Sequence, residues 1–120
     1  MKLSAVRIGV RDLVEARDFY ANVLGLELSV DGIQDGYCIF VSQGIRIIFD
    51  AVPPDGPADE LEFVGRFTGI SFEVDSIVDA HRRLAARGVT FIQTPEKQFW
   101  GGWLATFEDP SGNQLQLVEY

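Results

Sequence analysis

At 120 residues, with 47% hydrophobic and 23% charged side chains, the chain has the size and composition of one compact domain with its own core. Ten Lys and Arg against eighteen Asp and Glu leave a formal charge of −8, which argues against nucleic acid or an anionic membrane as partner and is compatible with cationic ligands. Cys38 is the single cysteine, so no internal disulfide can form and a reducing cytoplasm is the expected location, and no apolar run approaches the roughly 20 residues of a membrane span.

Leu3 to Val10 alternates, with Val6, Ile8 and Val10 on one face and Ala5, Arg7 and Gly9 on the other. Asp12 then offers an N-cap with Glu15 three residues on. Leu13, Ala16, Tyr20, Val23 and Leu24 recur at helical spacing up to Gly25, a good residue just past a helix end. Leu26 to Val30 is a short strand, and Asp31-Gly32 and Asp35-Gly36 are turn signals. Tyr37 to Val41 and Ile45 to Asp50 are strands separated by the turn Ser42-Gln43-Gly44. Cys38, within the first of them, is expected to be packed and inert. The order is β-α-β-β-β.

Ala51 to Glu62 breaks the pattern. Pro53, Pro54, Gly56 and Pro57 exclude a central strand. The segment is acidic and reads as a connector, with one helical turn near Asp59 to Phe63. The alternative is a flap over a site.

The first half then returns. Thr68 to Val74 alternates, with Gly69, Ser71 and Glu73 sharing a face. Ser76 caps a helix whose stripe is Ile77, Ala80 and Leu84, ending near Gly88. His81 lies outside that stripe and is expected to be exposed. Val89 to Gln93 is a strand and Thr94 to Gln98 a polar loop. Trp103 to Glu108 and Gln114 to Val118 are strands joined by Asp109-Pro110-Ser111-Gly112, whose Pro and Gly suit a tight turn. Val10 and Val74 match at an offset of 64, and Leu13, Val14 and Ala16 fall on Ile77, Val78 and Ala80 at the same offset. An internal repeat of this kind defines module 1 at about 1–51, a linker at about 52–66 and module 2 at about 67–120, within a single domain. The fold class is α+β.

The run Arg17 to Leu26 and the run Glu108 to Leu115, set in two such modules, resemble the vicinal oxygen chelate superfamily. That group includes glyoxalase I, bleomycin-resistance proteins, extradiol dioxygenases and fosfomycin-resistance proteins. The resemblance covers essentially the whole chain. It implies paired βαβββ units whose curled mixed sheets form a cup-shaped cavity, with helices on the outer face, and it suggests a homodimer. The family's enzymes hold a divalent metal through four side chains. Carried over, those places fall on Ala5, Ile48, Gly69 and Gln116, of which only Gln116 has a donor atom, so no metal cofactor is expected.

By alternation the cup face carries Ala5, Arg7, Gly9, Arg46, Ile48, Asp50, Gly69, Ser71, Glu73, Gln114 and Gln116. Buried arginines and carboxylates need partners. They either pair with one another, or Arg7 and Arg46 clamp an anionic or carbonyl group of a ligand. Glu73 is a candidate general base, provided burial raises its affinity for a proton. Phe99, Trp100 and Trp103 flank Gly101-Gly102 and are candidates for an aromatic wall near Gln114 and Gln116. Three functions fit these residues. The chain binds or sequesters a small molecule, aromatic or cationic, without a metal. Alternatively it is a glyoxalase-, lyase- or dioxygenase-like enzyme with an atypical site, using a divalent metal on an atypical ligand set or none, or it is a structural or regulatory dimer with no small ligand.

Overall fold

The computed structural model describes residues 1–120. It divides into two compact units, Met1–Arg66 and Phe67–Tyr120.

In the first unit, β1 (Ala5–Val10) leads into α1 (Leu13–Asp18), a π-helical turn (Phe19–Val23), β2 (Glu27–Gly32), β3 (Tyr37–Ser42) and β4 (Ile45–Ala51). The sheet runs β1-β4-β3-β2, with β1 parallel to β4 and the other pairs antiparallel. Asp12 caps α1 by accepting from the Glu15 N–H at 3.0 Å, and Gly25 takes the left-handed conformation past the π turn. That turn carries Tyr20 into the core, where its ring lies 4.3 Å from Phe49 and 6.2 Å from Phe40. Ile8, Cys38, Phe40, Ile47 and Phe49 complete the helix-facing layer. The opposite face therefore carries Arg7, Gly9, Arg46, Ile48 and Asp50, as the register pairs Arg7 with Ile48 and Gly9 with Asp50.

Asp31-Gly32 is not a turn. Both residues close β2, paired with Cys38 and Tyr37, and the reversal is a 3-10 turn over Ile33–Asp35. Gly32 is needed there because the Tyr37 ring lies directly against it, at 2.6 Å from where a Cβ would stand. After β4 the acidic segment makes one helical turn, α2 (Ala58–Leu61).

In the second unit, β5 (Phe67–Glu73), α3 (Ile77–Ala86), β6 (Thr90–Lys97), β7 (Trp103–Glu108) and β8 (Gln114–Glu119) give the sheet order β5-β8-β7-β6. First, fourth, third, second is the order of the first unit as well, so the sequence repeat is a structural one. Ser76 accepts from the Asp79 N–H and the Glu119 carboxylate accepts from the Ile77 N–H at 2.9 Å, so α3 begins with two of its free donors satisfied. Ile77, Ala80 and Leu84 of α3 and Phe107, Leu115 and Leu117 of the strands it packs on are all buried.

Three local expectations change here. Thr94 to Gln98 is largely strand, because β6 continues through Pro95 to Lys97. β6 is an edge strand, and an irregularity between Gln93 and Glu96 removes the need for a Pro95 N–H. His81 is half-buried, edge-on to Phe91 at 4.5 Å, rather than exposed. Gly69, with φ +75°, sits in a bulge where Phe67 pairs with Gln114 but Ser71 already pairs with Gln116. Simple alternation fails at that point. The Thr68 hydroxyl donates to the Gln114 carbonyl at 2.9 Å and accepts from the Ile70 N–H, filling the gap in the ladder.

Candidate functional site

A concavity of the first unit lies on the sheet face away from the helix. Arg7 and Gly9 of β1, Asp50 and Ala51 of β4, Val52, and Glu60 and Phe63 from the segment around α2 surround a pocket of about 370 Å³. Gly9 makes this arrangement possible. A Cβ there would stand 3.0 Å from the Phe63 carbonyl and 3.1 Å from a Val52 methyl. The linker backbone thus lies directly on the end of β1 and brings its own side chains over the strand ends. The acidic segment is part of the pocket wall.

Arg7 Nη1 donates to Asp50 Oδ2 at 2.7 Å, so of the two readings open for this face, mutual pairing is realised at Arg7. Both side chains keep substantial exposure, 67% and 40%, so the pair fixes orientation more than it adds stability. Arg46 faces the same way but stands toward the other end of β4, beside Ala5 in register, and donates to the Ser4 hydroxyl at 3.3 Å. Ile48 lies between them, in register with Arg7 and Ile39. The structure therefore brings Arg7 and Asp50 together with Glu60 and Phe63, and leaves Arg46 outside the pocket.

In the second unit, Ser71, Gln114 and Gln116 share the face away from α3, with Thr106 and Leu104. Gln116 Nε2 donates to the Thr106 hydroxyl at 3.3 Å. Two glutamines on this strand thus serve a partly buried polar face. Glu73 is exposed at the end of β5, so the burial required of a general base is missing.

The three aromatic residues do not form one wall. Trp103 pairs with Glu119 and alternates with Leu104, which puts it on the face of Ala105 and Phe107, toward the helix. Trp100 folds over Gly102, which has no side chain to obstruct the indole, and its ring lies 5.8 Å from that of Tyr120. Gly101 supplies the positive φ of +100° that this reversal needs. Phe99 is fully exposed.

The residues do not fit the family's metal. Ala5, Ile48 and Gly69 offer no donor, and no three His, Cys, Asp or Glu side chains converge on one point. Sequence reasoning missed Glu60 and Phe63 as site residues, because only the packing of the linker on Gly9 turns them toward Arg7 and Asp50. The one available signal was a glycine, Gly9, on the face of β1 away from the helix.

The Glyoxalase/Bleomycin resistance protein/Dioxygenase superfamily model matches residues 2–117. A solved member of that superfamily from Sphaerobacter thermophilus is 35% identical, with a TM-score of 0.81 over 100% of this chain and 98% of the other. A protein of Shewanella frigidimarina is 29% identical over 99% of this chain and 95% of its own length. TnmS3, an antibiotic binding protein from Streptomyces, has the same fold at 24% identity, with a TM-score of 0.79 over 99% of this chain and 95% of the other. The chain belongs to the Glyoxalase/Bleomycin resistance protein/Dioxygenase superfamily.

Proposed function

We propose that the protein binds or sequesters a small organic molecule and carries out no metal-dependent chemistry. The observation that carries this reading is the combination of an open pocket on a sheet face with the lack of donor atoms at three of the four places where the family's enzymes hold their metal. A pocket of this volume, about 370 Å³, lies within the ~300–1,000 Å³ range of small-molecule sites. It mixes apolar walls, Val52 and Phe63, with a few oriented charges, Arg7, Asp50 and Glu60. TnmS3, named for antibiotic binding, indicates that the fold itself is compatible with such a role. The ligand is aromatic or cationic in this reading, and the working form is a homodimer in the cytoplasm. On the second sheet, Ser71, Gln114 and Gln116 are further candidate contacts for the same class of ligand, and Trp100 is a candidate at its exposed edge.

The test has two arms. Elemental analysis of protein purified from cells is expected to find no stoichiometric divalent metal. A thermal-shift screen of aromatic and cationic compounds is expected to find a stabilising ligand, since a ligand at 100 times its Kd adds about 2.7 kcal/mol. Near one Zn, Ni, Mn or Fe per chain, with turnover of a glyoxalase- or dioxygenase-type substrate, would instead establish the enzyme reading. No stabilising compound, together with no metal, would overturn both in favour of a structural role.

A further inference from the structure

We infer that the pocket beside the linker is selective for an organic cation, with Glu60 as its counter-ion and Phe63 as the surface that receives it. The inference rests on the small-molecule reading above and adds the site, the ligand class and the residues that set it.

The charge balance of the pocket is the first observation. Its lining holds one arginine and two carboxylates, Arg7, Asp50 and Glu60. Arg7 is already committed to Asp50 Oδ2 at 2.7 Å. The Glu60 side chain is exposed and makes no hydrogen bond or ion pair within the chain. Among the lining residues a ligand therefore meets one neutralised pair and one negative charge without a partner, with Arg66 outside the lining on the Phe63 ring. The formal charge of −8 on the whole chain acts in the same direction at longer range.

The aromatic ring is the second observation. The Arg66 guanidinium lies 4.7 Å from the Phe63 ring centroid, so this ring already takes part in a cation–π contact. Phe63 is half exposed at 51% and lines the pocket together with Arg7 and Asp50. An ammonium or guanidinium group near Glu60 would have the aromatic ring and the Val52 side chain for its apolar body. A carboxylate in the same place would face Glu60 and would meet in Arg7 a guanidinium whose charge Asp50 already balances.

The third observation concerns position. Glu60 and Phe63 come from the linker, while Arg7, Gly9 and Asp50 come from the sheet. The close seat of Phe63 on Gly9 fixes one against the other, so the wall is built into the fold of the first unit.

The experiment is a calorimetric titration of the full chain with three probes of similar size, benzyltrimethylammonium, benzyl alcohol and benzoate. Benzyltrimethylammonium is expected to bind saturably and at least tenfold more tightly than benzyl alcohol, with no measurable binding of benzoate. Glu60→Gln and Phe63→Leu are each expected to weaken the cation at least fivefold while melting temperatures hold, since both side chains are exposed. Glu73→Gln, a carboxylate on the other sheet, is expected to change nothing. Equal binding by Glu60→Gln and Phe63→Leu would overturn the inference, and so would preferential binding of benzoate that Arg7→Gln abolishes. If screened compounds bind but ignore both linker substitutions, the small-molecule reading stands and this site assignment falls. If nothing binds anywhere, both fall.

Discussion

Asp109 shows how one side chain can organise a turn. Its Oδ1 accepts from the N–H groups of Ser111 and Asn113, each at 2.9 Å, and its Oδ2 accepts from Asn113 Nδ2 at 3.1 Å. All three residues are buried, so removing the carboxylate leaves donors that water reaches poorly. Asp109→Ala is expected to cost about 2–4 kcal/mol in a denaturant titration, and Asp109→Asn, which keeps one acceptor, about half as much. The turn was legible from Asp-Pro-Ser-Gly; the burial of its polar groups was not, because nothing in four residues says how deeply they sit. Cys38 behaves as its strand context suggested. Burial is the main cause that pushes its thiol above the ordinary value, with the nearby Asp31 charge adding to it and a hydrogen bond involving the Gly32 backbone acting the other way. A thiol reagent at pH 8 is expected to label Cys38 only as fast as the protein unfolds; prompt labelling of the native protein would contradict its burial. Because the folded thiol holds its proton more tightly than the unfolded one, its contribution to stability is fully present below the ordinary thiol value and is lost as pH rises from there through the raised folded value.

At the level of elements, periodicity located nearly every strand and both main helices, since each has one buried face and a cap at its start. What it could not locate was where the period breaks. The bulge at Gly69, the continuation of β6 through Pro95 and the π turn at Phe19–Val23 each insert or skip a residue, which shifts side chains without changing their apolar character. Trp103 was readable as a partner of Ala105 and Phe107, and its own strand's alternation decided its face against proximity in sequence to Gly101-Gly102. The candidate site was legible only on its sheet side. Arg7 and Asp50 stand in regular strands, whereas Glu60 and Phe63 depend on how an irregular segment folds back. That fold-back has one narrow point, Gly9, and it can be tested there. Gly9→Val would place methyl groups where the Phe63 carbonyl and Val52 now stand, so either the linker moves outward or the strand is strained. The expected cost is about 1–3 kcal/mol, the usual range for overpacking. The same substitution is expected to weaken binding at the pocket, because its wall would be displaced. Full stability with unchanged binding would show that the linker seat is not tight.

For the molecule as a whole, the aromatic surface and the net charge make opposing demands. Phe67, Phe99, Trp100 and Tyr120 are exposed large side chains of the second unit, with Phe99 and Tyr120 at 100% and 80%. Soluble monomers rarely leave grouped apolar side chains of this size in water, which favours association. Each copy also carries a formal charge of −8, so bringing two together costs repulsion that salt screens, with a Debye length of ~10 Å at 0.1 M. A homodimer held by apolar contact against like charge is therefore expected to tighten as salt is added. One held by ion pairs across the interface would loosen. Sedimentation at micromolar concentration is expected to give a dimer whose dissociation constant falls between about 0.02 and 0.5 M NaCl. Phe99→Ser combined with Trp100→Ser is expected to shift it toward monomer without loss of folded signal, because neither side chain is part of the buried core. A monomer at every salt concentration would refute the dimer. A dimer that weakens with salt, or that ignores both substitutions, would place its interface on another part of the surface.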